Sequence, residues 1–413
     1  MNFLFEYLLK DNHYMSIIGI FVFLIIAFVF SKKKKHVNFL RTIIALAMQF
    51  AIAFLILNTN LGQKIFYAIA DGFNKINVFA DEGIKFVFGN LAIPSQSWGY
   101  IFAIKVLPII IFFGALTAIL YHFGIIQIFV RGINIILSPI LGTSGAETLC
   151  TAANSMLDPS AATLLIKHEL KNLTDSEMFT ILVAAMSTIT ASLIAVYGSL
   201  GVSMLHLLTA SVMSIPGAIL ISKILFPETE KPKTAAGNKI VLEKDSANIL
   251  DAISSGTSTG LNIAFAVGAM LIVFIGLISM LNFGVEKITG YFFAQPYSFN
   301  QILGSAFSGV SYLIGIAKQD AVNAGALLGQ KIALNEFVAY ANMLKTNLNP
   351  RSITILTYAI CGFANFSVIG ILIGAIGSLV PTRRDFITKY GLKILLAGTL
   401  VNLLNAAIAS LLI

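Results

Sequence analysis

Apolar runs about 20 residues long, long enough to cross a bilayer as helices, alternate along the chain with short basic or irregular connections. The runs are continuous rather than alternating at period two, which excludes a transmembrane barrel. Ser16 to Phe30 is the first, closed by Lys32-Lys33-Lys34-Lys35, and Val37 to Leu57 is the second. Trp98 and Tyr100 mark the interfacial start of a third, which reaches Tyr121 and is expected to kink at Pro108. Met178 to Leu200, Met204 to Leu225, a run from the Ser254–Gly260 entry to Leu281, Ser352 to Val380 and Ile394 to Ile413 complete eight spans. Residues 62–90 differ: Ile65, Ile69, Phe73, Ile76 and Phe79 recur at helical spacing with Lys64, Asp71 and Lys75 off that face. That pattern predicts a helix in the interface plane or between subunits.

Composition agrees. Of 413 residues, 57% are hydrophobic and 11% charged, with a mean hydropathy of +0.88, against roughly 25% charged in soluble proteins. The net charge of +8 does not indicate a nucleic-acid partner. The basic residues sit in loops, at Lys32–Lys35, at Lys231, Lys233, Lys239 and Lys244, and at Arg383, Arg384, Lys389 and Lys393. Placing these clusters on the cytoplasmic side puts both termini in the periplasm of an inner-membrane protein. The first run has its positive charge after the apolar core, the reverse of a cleaved signal peptide. Cys150 and Cys361 stand alone in apolar sequence and read as packing residues.

Two regions break the spanning pattern. From Gly142 to Glu169, polar groups at Thr143, Ser144, Glu147, Asn154, Asp158 and Ser160 interrupt segments too short to span. The same happens from Lys318 to Asn347, where Asn335 and Glu336 lie in Leu334–Tyr340. Such re-entrant hairpins are tolerated in a membrane where protein or a cavity covers them. Each is followed by a span with a polar middle: Ser187, Thr188, Thr190 and Ser192 in one, Cys361 to Ser367 in the other. Asn172-Leu173-Thr174, Thr180-Ile181-Leu182 and Ala185 have counterparts in Asn347-Leu348-Asn349, Thr354-Ile355-Leu356 and Ala359. The fold class expected is an all-α polytopic membrane protein of about eight transmembrane helices plus two re-entrant hairpins in inverted repeats, with interfacial helices. The organisation read from this is a scaffold at 1–95, a first repeat at 96–225, a cytoplasmic loop and interfacial segment at 226–258, and a second repeat at 259–413. A carboxylate such as Glu336 at membrane depth costs several kcal/mol without partners, so it marks a candidate site wall.

At these segments the sequence resembles the concentrative nucleoside transporter family. The resemblance is carried by Ser144-Gly145-Ala146-Glu147, Ala152-Ala153-Asn154, Asn335-Glu336-Phe337-Val338-Ala339-Tyr340, Pro350-Arg351-Ser352, Cys361-Gly362-Phe363-Ala364-Asn365-Phe366-Ser367 with Ile369-Gly370, and Leu396-Ala397-Gly398-Thr399-Leu400. It implies a homotrimer in a lipid bilayer that imports nucleosides by alternating access, driven by a sodium ion or, in its place, a proton, with no organic cofactor and no catalysis. It further implies that Glu336 and Asn365 bind the ribose hydroxyls, that Phe363 lines the apolar wall, and that Asn335, Ser367 and Leu261 complete the substrate contacts. Asn154 and Ser192, with carbonyls of Leu157, Ser192 and Leu193, match the sodium ligands, an oxygen-only set suited to a hard cation.

The first hairpin tip departs from the family. Pro159 and Ala161 stand where the family has Gln and Glu holding the base, Ser160 keeps a hydroxyl, and Val368 replaces a frequent serine. The ribose half therefore carries over and the base half does not. Asp158 has two readings, a helix cap ahead of Pro159 or an acceptor for a base amine or coupling proton. Asn154 and Ser192 likewise suit either an ion or interhelical hydrogen bonding. Glu147 is expected to stabilise the hairpin, and Lys318 to pair with Asp320. The alternative to a nucleoside importer is a cation-coupled transporter of a non-standard nucleoside or other small polar solute. An intramembrane enzyme would need a nucleophile–base pair, and none of the five histidines lies in the polar mid-membrane segments.

Overall fold

The computed structural model describes residues 7, 12–93, 99–167, 169–233 and 246–413. Trp98, Lys239 and Lys244 lie outside them. Among the described residues every regular element is helical. The chain opens with α1 (His13–Val29), α2 (Phe39–Asn58) and α3 (Asn60–Phe88). The rest runs twice through one order. First come α4 (Leu107–His122), α5 (Ile125–Leu141), the short pair α6 (Gly145–Asn154) and α7 (Pro159–Leu164), the pair α8 (Asp175–Ser187) and α9 (Ala191–Leu200), and α10 (Met204–Leu225). Then come α11 (Ile249–Phe292), α12 (Phe299–Leu313), α13 (Ala321–Ala333) with α14 (Glu336–Met343), α15 (Pro350–Ile360) with α16 (Phe366–Leu379), and α17 (Arg384–Ser410).

Three local expectations change. Pro108 starts α4 rather than kinking it: a one-turn helix, Phe102–Lys105, precedes a break at Val106, and proline then takes a first-turn position where no N–H is required. The run expected to end at Leu281 instead continues through Glu286, Lys287 and Tyr291–Phe292, giving α11 a length of 44 residues. At 1.5 Å per residue that is roughly 66 Å, about twice the hydrocarbon thickness, so the helix projects beyond the bilayer. Asp320 is buried and accepts the Asn349 backbone N–H at 3.0 Å instead of pairing with exposed Lys318. The pattern assigns no span between His122 and Gly142, where α5 forms a 17-residue amphipathic helix closed by Gly142 in the left-handed region (φ 62°).

Burial divides the spans into two classes. In their most apolar windows, 89% of Asp175–Leu200, 83% of α10 and 78% of Pro381–Ser410 are buried, against 28% of α2, 22% of Phe102–His122 and 17% of α11. Helices α8, α10 and α17 therefore form the centre, and α2, α4 and α11 present apolar faces outward. The lysine run also packs into the fold. The Lys32 backbone N–H donates to the Leu225 carbonyl at 2.9 Å, and its ammonium lies 4.1 Å from the Phe226 ring centroid.

Lipid tails are as apolar as leucine, so helices in a membrane associate through close packing at small residues. The α4–α11 crossing is built this way. A Cβ on Gly260 would lie 2.8 Å from the Ile111 Cα, and one on Gly256 would lie 2.6 Å from the Gly114 carbonyl oxygen. The replacement Gly260→Val is therefore expected to separate the helices and destabilise the protein by roughly 1–3 kcal/mol. A thermal melt of the detergent-purified variant against the parent checks this.

Candidate functional site

Each broken pair of helices frees backbone groups in the middle of the protein, and polar residues were needed there to engage them. Thr188 leaves α8 in an extended conformation, and Thr190 caps α9, its hydroxyl accepting from the Leu193 N–H at 3.3 Å. In the second repeat Asn365 caps α16, its Oδ1 accepting from the Val368 N–H at 3.1 Å. The two breaks touch: the Phe363 N–H donates to the Thr188 carbonyl at 3.3 Å. Asn402, fully buried on α17, spans both, its Nδ2 donating to the Ser187 and Cys361 carbonyls at 2.8 Å each. The first hairpin joins them through the Ala191 N–H, which donates to the Met156 carbonyl at 3.1 Å. The second joins through the Tyr340 hydroxyl, donating to the Thr357 carbonyl at 2.8 Å.

Four helix N-termini belong to this assembly, those of α7, α9, α14 and α16, capped by Asp158, Thr190, Asn335 and Asn365. Their dipoles present partial positive charge. Glu336, 5% exposed, is the first residue of α14. Its Oε1 accepts from the Tyr197 hydroxyl at 2.9 Å and its Oε2 from Asn365 Nδ2 at 3.2 Å. The Ser367 hydroxyl donates to Asn365 Oδ1 at 2.6 Å. Glu336, Asn365 and Ser367 are thus one connected polar group, and a carboxylate has about four acceptor sites, more than these side-chain donors use. Half-buried Phe363 lies in the same break, three residues after its helix ends.

The other expected residues separate. Asp158 acts as a cap: its Oδ1 accepts from the Ser160 and Ala161 N–H groups at 3.0 and 3.1 Å, with Pro159 at the first helical position. Ser160 is half-buried on α7, which packs against α16, the helix carrying Asn365. Asn335 is also a cap, accepting from the Val338 N–H at 2.9 Å. Leu261 is 39% exposed on α11, whose main packing partner is α4, so it lies apart from the Glu336 group.

Asn154 ends α6 with 1% exposure. Its Nδ2 donates to the Cys150 carbonyl at 2.9 Å, while its buried Oδ1 receives no hydrogen bond. A buried acceptor without a donor is costly, and a hard cation satisfies it. Ser192 shares a hydrogen bond with Thr190 at 2.9 Å, and Leu157 and Leu193 are buried beside these turns. Glu147, 1% exposed, forms an ion pair with Lys223 at 2.5 Å, which ties the first hairpin to α10. A cavity of about 730 Å³ lies here, lined by His36, Arg41, Glu147, Lys223 and Glu228, and Glu336 is not among its lining residues.

Four residues in the assembly carry no motif signal strong enough to be singled out. Tyr197 lies in the apolar second half of its span, where a lone tyrosine is common. Lys331, 1% exposed, donates to Asn402 Oδ1 at 2.7 Å. Its available signal is a lysine inside the run Ala326–Leu334. Asn402 and Asn405 sit seven and ten residues into an otherwise apolar stretch from Leu395, and that polarity at membrane depth is the signal for them.

Three family profiles match consecutive parts of the chain. They are a Na+ dependent nucleoside transporter N-terminus over residues 18–91, a nucleoside recognition "Gate" region over 103–204, and a Na+ dependent nucleoside transporter C-terminus over 206–410. The transporter YutK of Bacillus subtilis is 40% identical over 405 residues, covering 97% of this chain and all of the relative. The nucleoside permease NupC of Helicobacter pylori is 38% identical over 409 residues, covering 96% and 97%. The inward-facing, substrate-bound structure of CNTnw superposes with a TM-score of 0.91 at 33% identity, covering 96% of this chain and 98% of that one. An outward-facing variant of CNTnw superposes equally well, with a TM-score of 0.92. Full-length identity, three contiguous profiles and a shared helical architecture agree, and the chain is a multi-pass membrane transporter belonging to the concentrative nucleoside transporter family.

Proposed function

We propose that this protein imports nucleosides by alternating access, coupled to sodium entry, with the ribose held by Glu336 and Asn365. The observation that carries the reading is the buried Glu336–Asn365 pair between two capped half-helices. A cis-diol presents two hydroxyl donors and acceptors, which a carboxylate and an amide side by side satisfy together. Ser367 orients the amide through Oδ1, and Tyr197 orients the carboxylate through Oε1. Phe363 supplies an apolar face, and Asn335 and Ser160 border the space.

The coupling ion is assigned to Asn154 and Ser192 with the carbonyls of Leu157, Ser192 and Leu193. The support is the buried Asn154 Oδ1 without a donor and the sodium dependence named in the profile descriptions. An ion there connects the end of α6 to the start of α9 and steadies the first hairpin, raising affinity for ribose. The chain acts in the inner membrane as a homotrimer, with the outward apolar faces of α3 and α11, including Phe79, Phe86, Phe265 and Ile272, available for lipid and subunit contacts. A second reading, transport of a non-standard nucleoside, is favoured by the first hairpin. Asp158 is engaged as a cap, and Pro159 and Ala161 have no polar side chain for a base edge. Competition of uptake by a panel of nucleosides and nucleobases separates the two.

Uptake of labelled uridine and adenosine into proteoliposomes is expected to require an inward sodium gradient and to survive a protonophore. Sodium-independent uptake abolished by the protonophore would move the coupling to protons. Glu336→Gln removes the charged acceptor and is expected to cost about 1.5–3 kcal/mol of binding, or roughly 10- to 150-fold in KM. Normal transport by that variant would end the ribose assignment. Tyr197→Phe leaves Oε1 one donor short, and a loss of roughly 1–3 kcal/mol in stability is expected in thermal melts.

A further inference from the structure

The two repeats share one register of caps and hydrogen bonds at the candidate ion site, and the register identifies Lys331. In the first hairpin, the last i→i−4 bond of α6 runs from the Leu157 N–H to the Ala153 carbonyl at 2.8 Å, and the next residue, Asp158, caps α7. In the second, the corresponding bond runs from the Leu334 N–H to the Gln330 carbonyl at 2.9 Å, and the next residue, Asn335, caps α14. Asn154 lies four residues before its cap, and Lys331 lies four residues before its own.

The broken helices repeat the match. Thr190 and Asn365 are the caps, and two residues later each has a serine bonded back to it, Ser192 at 2.9 Å and Ser367 at 2.6 Å. The following residues, Leu193 and Val368, donate their N–H groups to the same caps. Leu157, Ser192 and Leu193 thus have Leu334, Ser367 and Val368 as counterparts. Only the asparagine changes in kind, to a lysine.

We propose that Lys331 is a tethered cation that fills the second repeat's counterpart of the ion site, leaving the first repeat alone open to a free ion. This rests on the sodium-coupled reading of Asn154. The surroundings suit a fixed positive charge. The ammonium donates to Asn402 Oδ1 at 2.7 Å, and Asn402 in turn donates to the Ser187 and Cys361 carbonyls. Those carbonyls end α8 and α15, the negative ends of two half-helix dipoles. An ammonium bound there needs no ion to be captured or released in the transport cycle. The first hairpin alone then responds to sodium.

The test compares Lys331→Asn, Lys331→Met and Lys331→Arg in proteoliposomes, reading the initial rate of uptake of whichever of uridine or adenosine the parent accumulates, across a sodium titration. Lys331→Asn recreates the first repeat's ligand. Its sodium dependence is expected to become steeper by one site and its half-saturation to move to higher sodium. Lys331→Arg is expected to keep the parent's order in sodium, and Lys331→Met to lose sodium-driven uptake at equal amounts of folded protein. Unchanged order in Lys331→Asn alongside a sodium-dependent parent overturns the assignment of Lys331 and leaves the Asn154 site standing. A sodium-independent parent overturns both. Should Lys331→Asn not be recovered folded, the other pair decides: Arg and Met variants with the same uptake overturn the proposal.

Discussion

A helix broken at membrane depth leaves donors and acceptors that lipid cannot satisfy, and the centre of this protein is organised by that requirement. Asn402 meets it for both breaks at once. One side-chain amide takes the carbonyls of Ser187 and Cys361, and its oxygen takes the Lys331 ammonium. The contact between the Phe363 N–H and the Thr188 carbonyl then fixes the breaks against each other. Asn405 extends the polar seam along α17, accepting from Gln49 on α2 at 2.5 Å and donating to the Ser214 hydroxyl on α10 at 2.8 Å. Helix α17 is therefore both the most polar and one of the most buried spans.

The same requirement explains why the site residues fall where they do. A half-helix beginning in the protein interior needs a cap, and caps are Ser, Thr, Asp or Asn. Asp158, Thr190, Asn335 and Asn365 meet that need first. Asn365 then has its Nδ2 left over for Glu336, while Asp158 directs one oxygen to two N–H groups of its own helix. Function is added to groups that structure already demanded, and the difference between a cap and a ligand is the atom that remains.

Pseudo-symmetry supplies the other constraint. Two repeats of one plan give two copies of every polar position, and the copies diverge in chemistry. The first repeat keeps a neutral Asn154 with an open oxygen, and the second has Lys331 donating to Asn402. The asymmetry sets an asparagine with an open acceptor in one hairpin against a lysine in the other, five residues before Glu336.

The chain by itself determined a great deal. Spanning runs, basic loops and two interrupted regions depend on local composition, and the helical membrane architecture, the hairpins and the broken helices follow from them. The Leu334–Tyr340 and Cys361–Ser367 strings located Glu336 and Asn365 because a polar group at membrane depth is conspicuous against apolar neighbours. Only the tertiary structure decided which polar group meets which. Whether Asp158 caps a helix or faces a solute depends on where its carboxylate points. The roles of Tyr197 and Asn402 depend on contacts 139 residues away at Glu336 and 215 residues away at Ser187. Lys331 shows the limit most clearly, since its correspondence with Asn154 appears only when the caps of the two hairpins set the register. Spacing along one helix is local and legible, whereas the pairing of distant polar groups is chosen by packing, and packing is a property of the whole fold.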